Sequence, residues 1–225
     1  MIEKEAKMSG EQYFKKAYEA IINYDSLLAE SIAKEAIEAG IPPQRILEEG
    51  FSPAIKELGE KFEKMEIFLP ELVMAANAMK TAVAVLELAL KKTGESLPSK
   101  GTIVLGTVEG DIHDIGKTIV GATLSAAGYK VYDLGVEVPV PRFLEAAEET
   151  GAQVIAASAL LSTTMLRQKD LVEFLKNRGK RDKFLVIVGG APVTKEWASH
   201  IGADAYARDA VEAVKVLDSL IQGRF

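Results

Sequence analysis

The chain has 225 residues, 48% of them hydrophobic and 27% charged, with a formal net charge of -6 and no cysteine. That length allows a sizeable core in one domain or in two small ones. The lack of cysteine excludes disulfides, thiolate metal sites and cysteine nucleophiles, and the acidic balance disfavours nucleic acid or an anionic membrane surface as the main partner.

The opening residues MIEKEAKMSGEQY contain no apolar stretch of signal-peptide type, and no run reaches 18 uncharged apolar residues. The expectation is a cytoplasmic protein with no membrane partner. The first helix is predicted over 12–23. Asp25 is placed to cap a second helix running to Ala39, where Gly40 and the pair Pro42-Pro43 stop it. A third helix is predicted over 43–64, with Ile46, Leu47, Phe51, Ala54, Ile55, Leu58 and Phe62 at three-and-four spacing. The fourth starts near Pro70 and is apolar around most of its circumference, so it is expected to be covered on several sides. Residues 1–92 therefore read as a helical bundle, and TGESLPSK (93–100), rich in Gly, Ser and Pro, as a linker to a second domain over 101–225.

From Gly101 the pattern changes to short apolar strands at 102–107, 130–135, 153–158, 184–190 and 204–207. They alternate with helices at 115–127, 141–149, 165–177, 195–200 and 209–221. Strands this uniformly apolar belong to a parallel sheet covered on both faces. The fold class is α/β: a Rossmann-like (flavodoxin-like) five-stranded parallel sheet, ordered 2-1-3-4-5, preceded by the helical bundle. In such a sheet a crevice opens between the carboxyl ends of strands 1 and 3. Outside strand 1 lie Glu109, Asp111, His113 and Asp114; outside strand 3 lie Ser158, Ser162, Thr163 and Thr164.

His113 is one of two histidines. It could be an ordinary surface or capping residue, but it follows a strand end, stands two residues after Asp111, and precedes Gly116, which permits close approach of something bulky. A metal-binding histidine commonly donates its second ring N–H to a carboxylate, and Asp111 is placed to accept it. Zinc would need three or four strong protein ligands, which are lacking. One histidine suffices when the metal arrives inside a macrocycle. Haem fits that condition, although no haem attachment sequence is seen. A phosphate-gripping loop is a poor match, since the segment has few glycines and several acids.

The run Asp111-Ile112-His113-Asp114-Ile115-Gly116, then Ser158-Ala159-Leu160, then Gly189-Gly190, resembles the three-part signature of cobalamin-binding domains. The intervals of 41 and 28 residues also match that family's usual separation. The segment from Glu66 to Val73 and the run Asn77 to Lys80 resemble the helical cap preceding the cobalamin domain of cobalamin-dependent methionine synthase. The whole chain is similar in domain order and size to the stand-alone corrinoid proteins of methanol, methylamine and methoxy-compound methyltransferase systems.

That resemblance implies a cobalamin or related corrinoid bound base-off, with His113 as the cobalt ligand and Asp111 orienting it. Gly110, Ile112, Asp114 and Gly116 would surround the cofactor. Ser158 and Leu160 would line the tail pocket, and Gly189 and Gly190 would let the nucleotide lie against backbone, although glycines there are also ordinary turn formers. The segment ending in Ala210 would supply the last piece. Thr164 is the nearest match to the serine that extends the Asp–His relay in methionine synthase; Ser162 and Thr163 are alternatives. Phe68, Leu69 and Leu72 would cover the upper face, or simply form bundle core, with the linker as hinge.

The implied function is methyl carriage. Cob(I)alamin accepts a methyl group from a substrate-specific methyltransferase, and methylcob(III)alamin donates it to a second one acting on coenzyme M or tetrahydrofolate, with a reductive activation protein as a further partner. This places the chain in the one-carbon metabolism of methanogenesis or acetogenesis, as a carrier subunit. A cobalamin-dependent sensor or regulator, an adenosylcobalamin mutase small subunit, and a cobalamin-free binding module are the alternatives.

Overall fold

The computed structural model describes residues 9–90 and 97–224, so the first half of the expected linker, 93–96, lies outside the described residues. The chain divides into two compact units, Met1–Pro98 and Ser99–Phe225.

The first unit is helical. Helix α1 spans Gly10–Ile22 and α2 spans Ser26–Glu38, capped as expected by the Asp25 carboxylate, which accepts from the Leu28 N–H at 2.9 Å. The third helix is not continuous. It runs as α3 (Pro43–Ile46), a π-helical turn (Leu47–Phe51) and α4 (Ser52–Glu63). Pro53 cannot donate to the preceding turn and its ring clashes with the carbonyl four residues back, so the chain widens there. The Ser52 N–H accordingly reaches back five residues to the Leu47 carbonyl. Gly50 fits the same place, because a Cβ on it would lie 2.8 Å from the Ala17 Cβ of α1.

Helix α5, Leu69–Leu90, is less covered than its composition predicts. Leu72, Ala75, Ala76, Ala78, Ala82, Leu86 and Leu90 are buried, while Met74 and Leu88 are exposed. The alanines let α5 approach α2 closely, which itself buries Ala29, Ile32, Ala33 and Ala36. By length and composition α5 could also cross a membrane, a property it shares with core helices of bundles.

The second unit is the expected α/β fold. Strands β1 (Thr102–Thr107), β2 (Lys130–Asp133), β3 (Val154–Ser158), β4 (Leu185–Gly189) and β5 (Ala205–Tyr206) form one parallel sheet in the order β2-β1-β3-β4-β5. Helices α6 (Ile115–Ala126) and α10 (Ala210–Arg224) follow β1 and β5. Helices α7 (Val140–Thr150), α8 (Leu166–Asn177) and α9 (Lys195–Ile201) follow β2, β3 and β4. One sheet face packs Val104, Ile155 and Val186 against Phe143, Leu171 and Leu175 of α7 and α8. The other packs Ile103, Leu105, Val154 and Ile187 against Leu124 of α6 and Ala213 and Leu217 of α10.

The register aligns the functional strand ends, because Thr107 pairs with Ser158 and Ser158 with Gly189. The chain entering β1 is pinned first. Lys100 donates its backbone N–H to the Gly128 carbonyl (3.0 Å), and its ammonium pairs with Asp218 of α10 (2.9 Å).

Candidate functional site

Parallel register brings three loops together at the carboxyl edge of β1, β3 and β4, and Asp111 ties the loops after β1 and β3 to each other. Its side chain is fully buried. Oδ1 lies 2.7 Å from His113 Nδ1 and accepts the His113 backbone N–H at 3.1 Å. Oδ2 accepts the Thr164 hydroxyl at 2.6 Å and the Leu160 N–H at 2.8 Å, with Leu161 N at 3.3 Å. Burial alone would raise this carboxyl. The hydrogen bonds from Thr164, His113 and the Leu160 and His113 amides outweigh it and hold the group well below the usual carboxylate range.

An ionised Asp111 accepts from Nδ1–H, which leaves His113 Nε2 with its lone pair free for a Lewis acid. The backbone fixes the ring further: Thr107 Oγ1 donates to the His113 carbonyl at 2.9 Å. The imidazole side chain stays 46% exposed, accessible to a ligand, while its partner carboxylate is sealed off.

His113 borders a cavity of about 710 Å³ that runs between α6, α10 and the carboxyl half of the sheet. Its inner lining is apolar, with Leu105, Leu124, Ala156, Ile187, Ala213 and Leu217, and Ile112, Ile115 and Leu160 add exposed apolar side chains. An apolar cavity with a few convergent polar groups is the usual form of a site for a bulky organic ligand.

Of the residues expected at the site, Ile112, His113, Asp114, Gly116, Ser158, Leu160, Gly189, Gly190 and Ala210 line this cavity. Gly110 does not; it sits in the turn just before Asp111. Asp111 and Thr164 lie behind His113 rather than in the lining. Of the three candidate hydroxyls, Thr164 is the one bonded to Asp111, while Ser162 and Thr163 are exposed on the loop. Gly190 answers first to the protein's own backbone. At φ +121° a Cβ there would fall 1.8 Å from the Ala159 carbonyl oxygen. In the helical unit Phe68 is exposed and Leu69 half-buried, but Leu72 is fully buried and has no surface to offer a ligand.

Three contributors were not expected from sequence. Gln168, fully buried on α8, donates to the Ala157 and Gly189 carbonyls (2.9 and 3.0 Å) and accepts from the Trp197 indole N–H at 3.1 Å. It ties the ends of β3 and β4 together one helical turn after Thr164. Glu137, at φ +51°, donates its N–H to the Asp111 carbonyl at 3.0 Å. Lys117 is buried in the cavity wall and paired with Asp133. Only Lys117, directly after Gly116, carried a usable signal, as a lysine inside an otherwise apolar helix pattern.

Comparison with known proteins agrees with this geometry. Residues 101–215 match one family described as a B12 binding domain, and residues 13–87 match a second family of the same description. Trimethylamine corrinoid protein 1 of Methanosarcina acetivorans is 45% identical over 213 residues, covering 95% of this chain and 99% of that protein. The trimethylamine corrinoid protein of Methanosarcina barkeri is 47% identical over 204 residues, covering 91% of this chain and 94% of that one. Among solved structures, the methanol:cobalamin methyltransferase complex of Methanosarcina barkeri superposes with a TM-score of 0.84 at 29% identity, covering 99% of this chain and 86% of that chain. Matched in both halves and nearly end to end, the chain belongs to the B12-binding corrinoid proteins, the family of the methylamine and methanol corrinoid proteins.

Proposed function

We propose that this chain is a corrinoid methyl carrier in which His113 Nε2 is the lower axial ligand of cobalt, bound base-off. The observation that carries this is the Asp111–His113 pair, which leaves a single ring nitrogen free at the edge of a large apolar cavity. The residues present fit such a group. Among the described residues no cluster of three or more His, Asp or Glu could hold a bare ion, so a metal at His113 would have to bring most of its own ligands. A macrocycle does so, and the cavity volume suits a bulky organic appendage.

When bound, the corrinoid supplies a cobalt centre that accepts and hands on a methyl group. The chain's own part is binding and control. Asp111 holds the Nδ1 proton and keeps Nε2 oriented, and Thr164, with the Leu160 and Leu161 amides, keeps Asp111 ionised and fixed. Ser158, Leu160, Gly189 and Gly190 bound the space for the tail, and Ile112, Asp114, Gly116 and Ala210 complete its wall. Phe68 and Leu69 are the candidates to shield the upper face, with Leu72 supporting them from the bundle core.

The methanol:cobalamin methyltransferase complex among the similar structures supports a substrate-specific methyltransferase as one partner. The carrier cycle itself calls for two more: a second methyltransferase that passes the methyl group to coenzyme M or tetrahydrofolate, and a reductive activation protein that restores the cofactor after oxidation.

Electron paramagnetic resonance of the Co(II) protein tests the ligand. Wild type is expected to give a histidine-on axial nitrogen signal whose splitting changes on 15N labelling of the protein, and His113→Ala to lose it. Identical axial signals in both proteins would overturn the assignment.

A further inference from the structure

Lys117 is a buried cation that axial ligation leaves unused. It lies on the first turn of α6, four residues after His113, with 3% of its surface exposed, and its side chain forms part of the cavity wall. Its ammonium donates to Asp133 at the end of β2, at 2.6 Å to Oδ1. Asp133 is the wetter partner: its side chain is 40% exposed, and Oδ1 also accepts the Gly135 N–H at 2.9 Å. The ammonium is therefore the desolvated end of the pair, and a half-solvated carboxylate repays that desolvation poorly. A methionine or leucine would fill the same wall without the cost.

The other cation lining the cavity, Arg208, has a side chain 76% exposed and pairs with Asp209. Lys117 is thus the buried positive charge in a largely apolar wall. An ammonium has three N–H donors, and Asp133 takes two of them.

We propose that Lys117 recognises the anionic phosphodiester in the nucleotide tail of the corrinoid, making it a specificity residue for complete corrinoids over tail-less ones. The proposal rests on the corrinoid-binding reading. The corrin ring's amide side chains are neutral, so the phosphodiester is the tail's formal negative charge, and an ammonium held by Asp133 meets it with its donor already oriented.

The test is titration of the full chain with cobalamin and with cobinamide, which lacks the nucleotide and its phosphodiester, following the corrinoid's visible spectrum. Lys117→Met is expected to weaken cobalamin about 10- to 100-fold, the loss of one charge-assisted hydrogen bond, while cobinamide affinity changes less than about threefold. Asp133→Asn retains the ammonium and removes its competitor, so cobalamin should bind as tightly as to wild type or more tightly. Equal losses for both ligands in Lys117→Met, or a cobalamin loss in Asp133→Asn matching it, would make Lys117 only a clamp between α6 and β2 and overturn the proposal. If Lys117→Met does not fold, Lys117→Gln, which keeps the stem and removes the charge, is judged by the same comparison of cobalamin with cobinamide. A wild-type chain that binds neither ligand would instead sink the corrinoid reading itself.

Discussion

Replacing Thr164 with valine removes one donor from a fully buried carboxylate while nearly keeping the side chain's shape. The lost contact is the 2.6 Å hydroxyl bond to Asp111 Oδ2; the Leu160, Leu161 and His113 donors remain, so Asp111 stays ionised. A hydrogen bond to a charged group contributes about 1.5–3 kcal/mol, and that is the expected loss of stability. The pH dependence follows from the direction of the shift. The folded carboxyl lies below its unfolded value, so the stabilisation is fully present above the ordinary aspartate value of about 3.9 and is lost as pH falls through the folded one. The gap between wild type and Thr164→Val should be constant from neutral pH down to about 4 and close only below that. Urea unfolding of the full chain, followed by tryptophan emission, measures it. Trp197 is the only tryptophan and its indole is bonded to Gln168, so its emission reports the α/β unit. Ser162→Ala, at an exposed position, is the control and should stay within about 0.5 kcal/mol. A Thr164→Val stability indistinguishable from that control, or a gap that changes between neutral pH and about 5, would refute the hydrogen-bond account.

Asp111→Ala strands the Leu160 and His113 amides without their carboxylate acceptor, and should cost at least about 3 kcal/mol in the same unfolding assay. Gly190→Ala should destabilise by more than about 3 kcal/mol because its Cβ would collide with the Ala159 carbonyl. By contrast, Gly116→Ala meets open space and should fold as well as wild type, yet weaken corrinoid binding in a spectral titration by occupying the cavity. In the helical unit, Leu72→Ala should cost about 2–5 kcal/mol by far-UV circular dichroism, while Phe68→Ala stays within about 0.5 kcal/mol.

The α/β half was legible because its strands are short, apolar and separated by amphipathic helices, a pattern that admits few topologies. The strand order β2-β1-β3-β4-β5 followed from that alternation. His113 and Asp111 stood out because their residue types and spacing carry chemistry locally. Gln168 did not, since a glutamine in a helix looks like solvated surface until the Ala157 and Gly189 carbonyls, from two different strands, are brought to it. The choice between Ser162, Thr163 and Thr164 was likewise tertiary. Three adjacent hydroxyls differ only in which one the turn aims at Asp111. The π-helical turn escaped the periodicity because its apolar spacing still suits a helix; Gly50 and Pro53 held the signal. Leu72 and Phe68 both look apolar in sequence, and only packing against α2 separates core from surface.

The pinned entry into β1 also has a mechanical meaning. A pull arriving along the chain from residues before Ser99 meets the Lys100–Gly128 hydrogen bond and the Lys100–Asp218 ion pair before it can reach the strand. Gly128 lies just after α6 and Asp218 lies within α10, the two helices that enclose the cavity. Tension would therefore be delivered to the cavity's walls, while β1 and the buried Asp111 anchor at its far end are shielded from it.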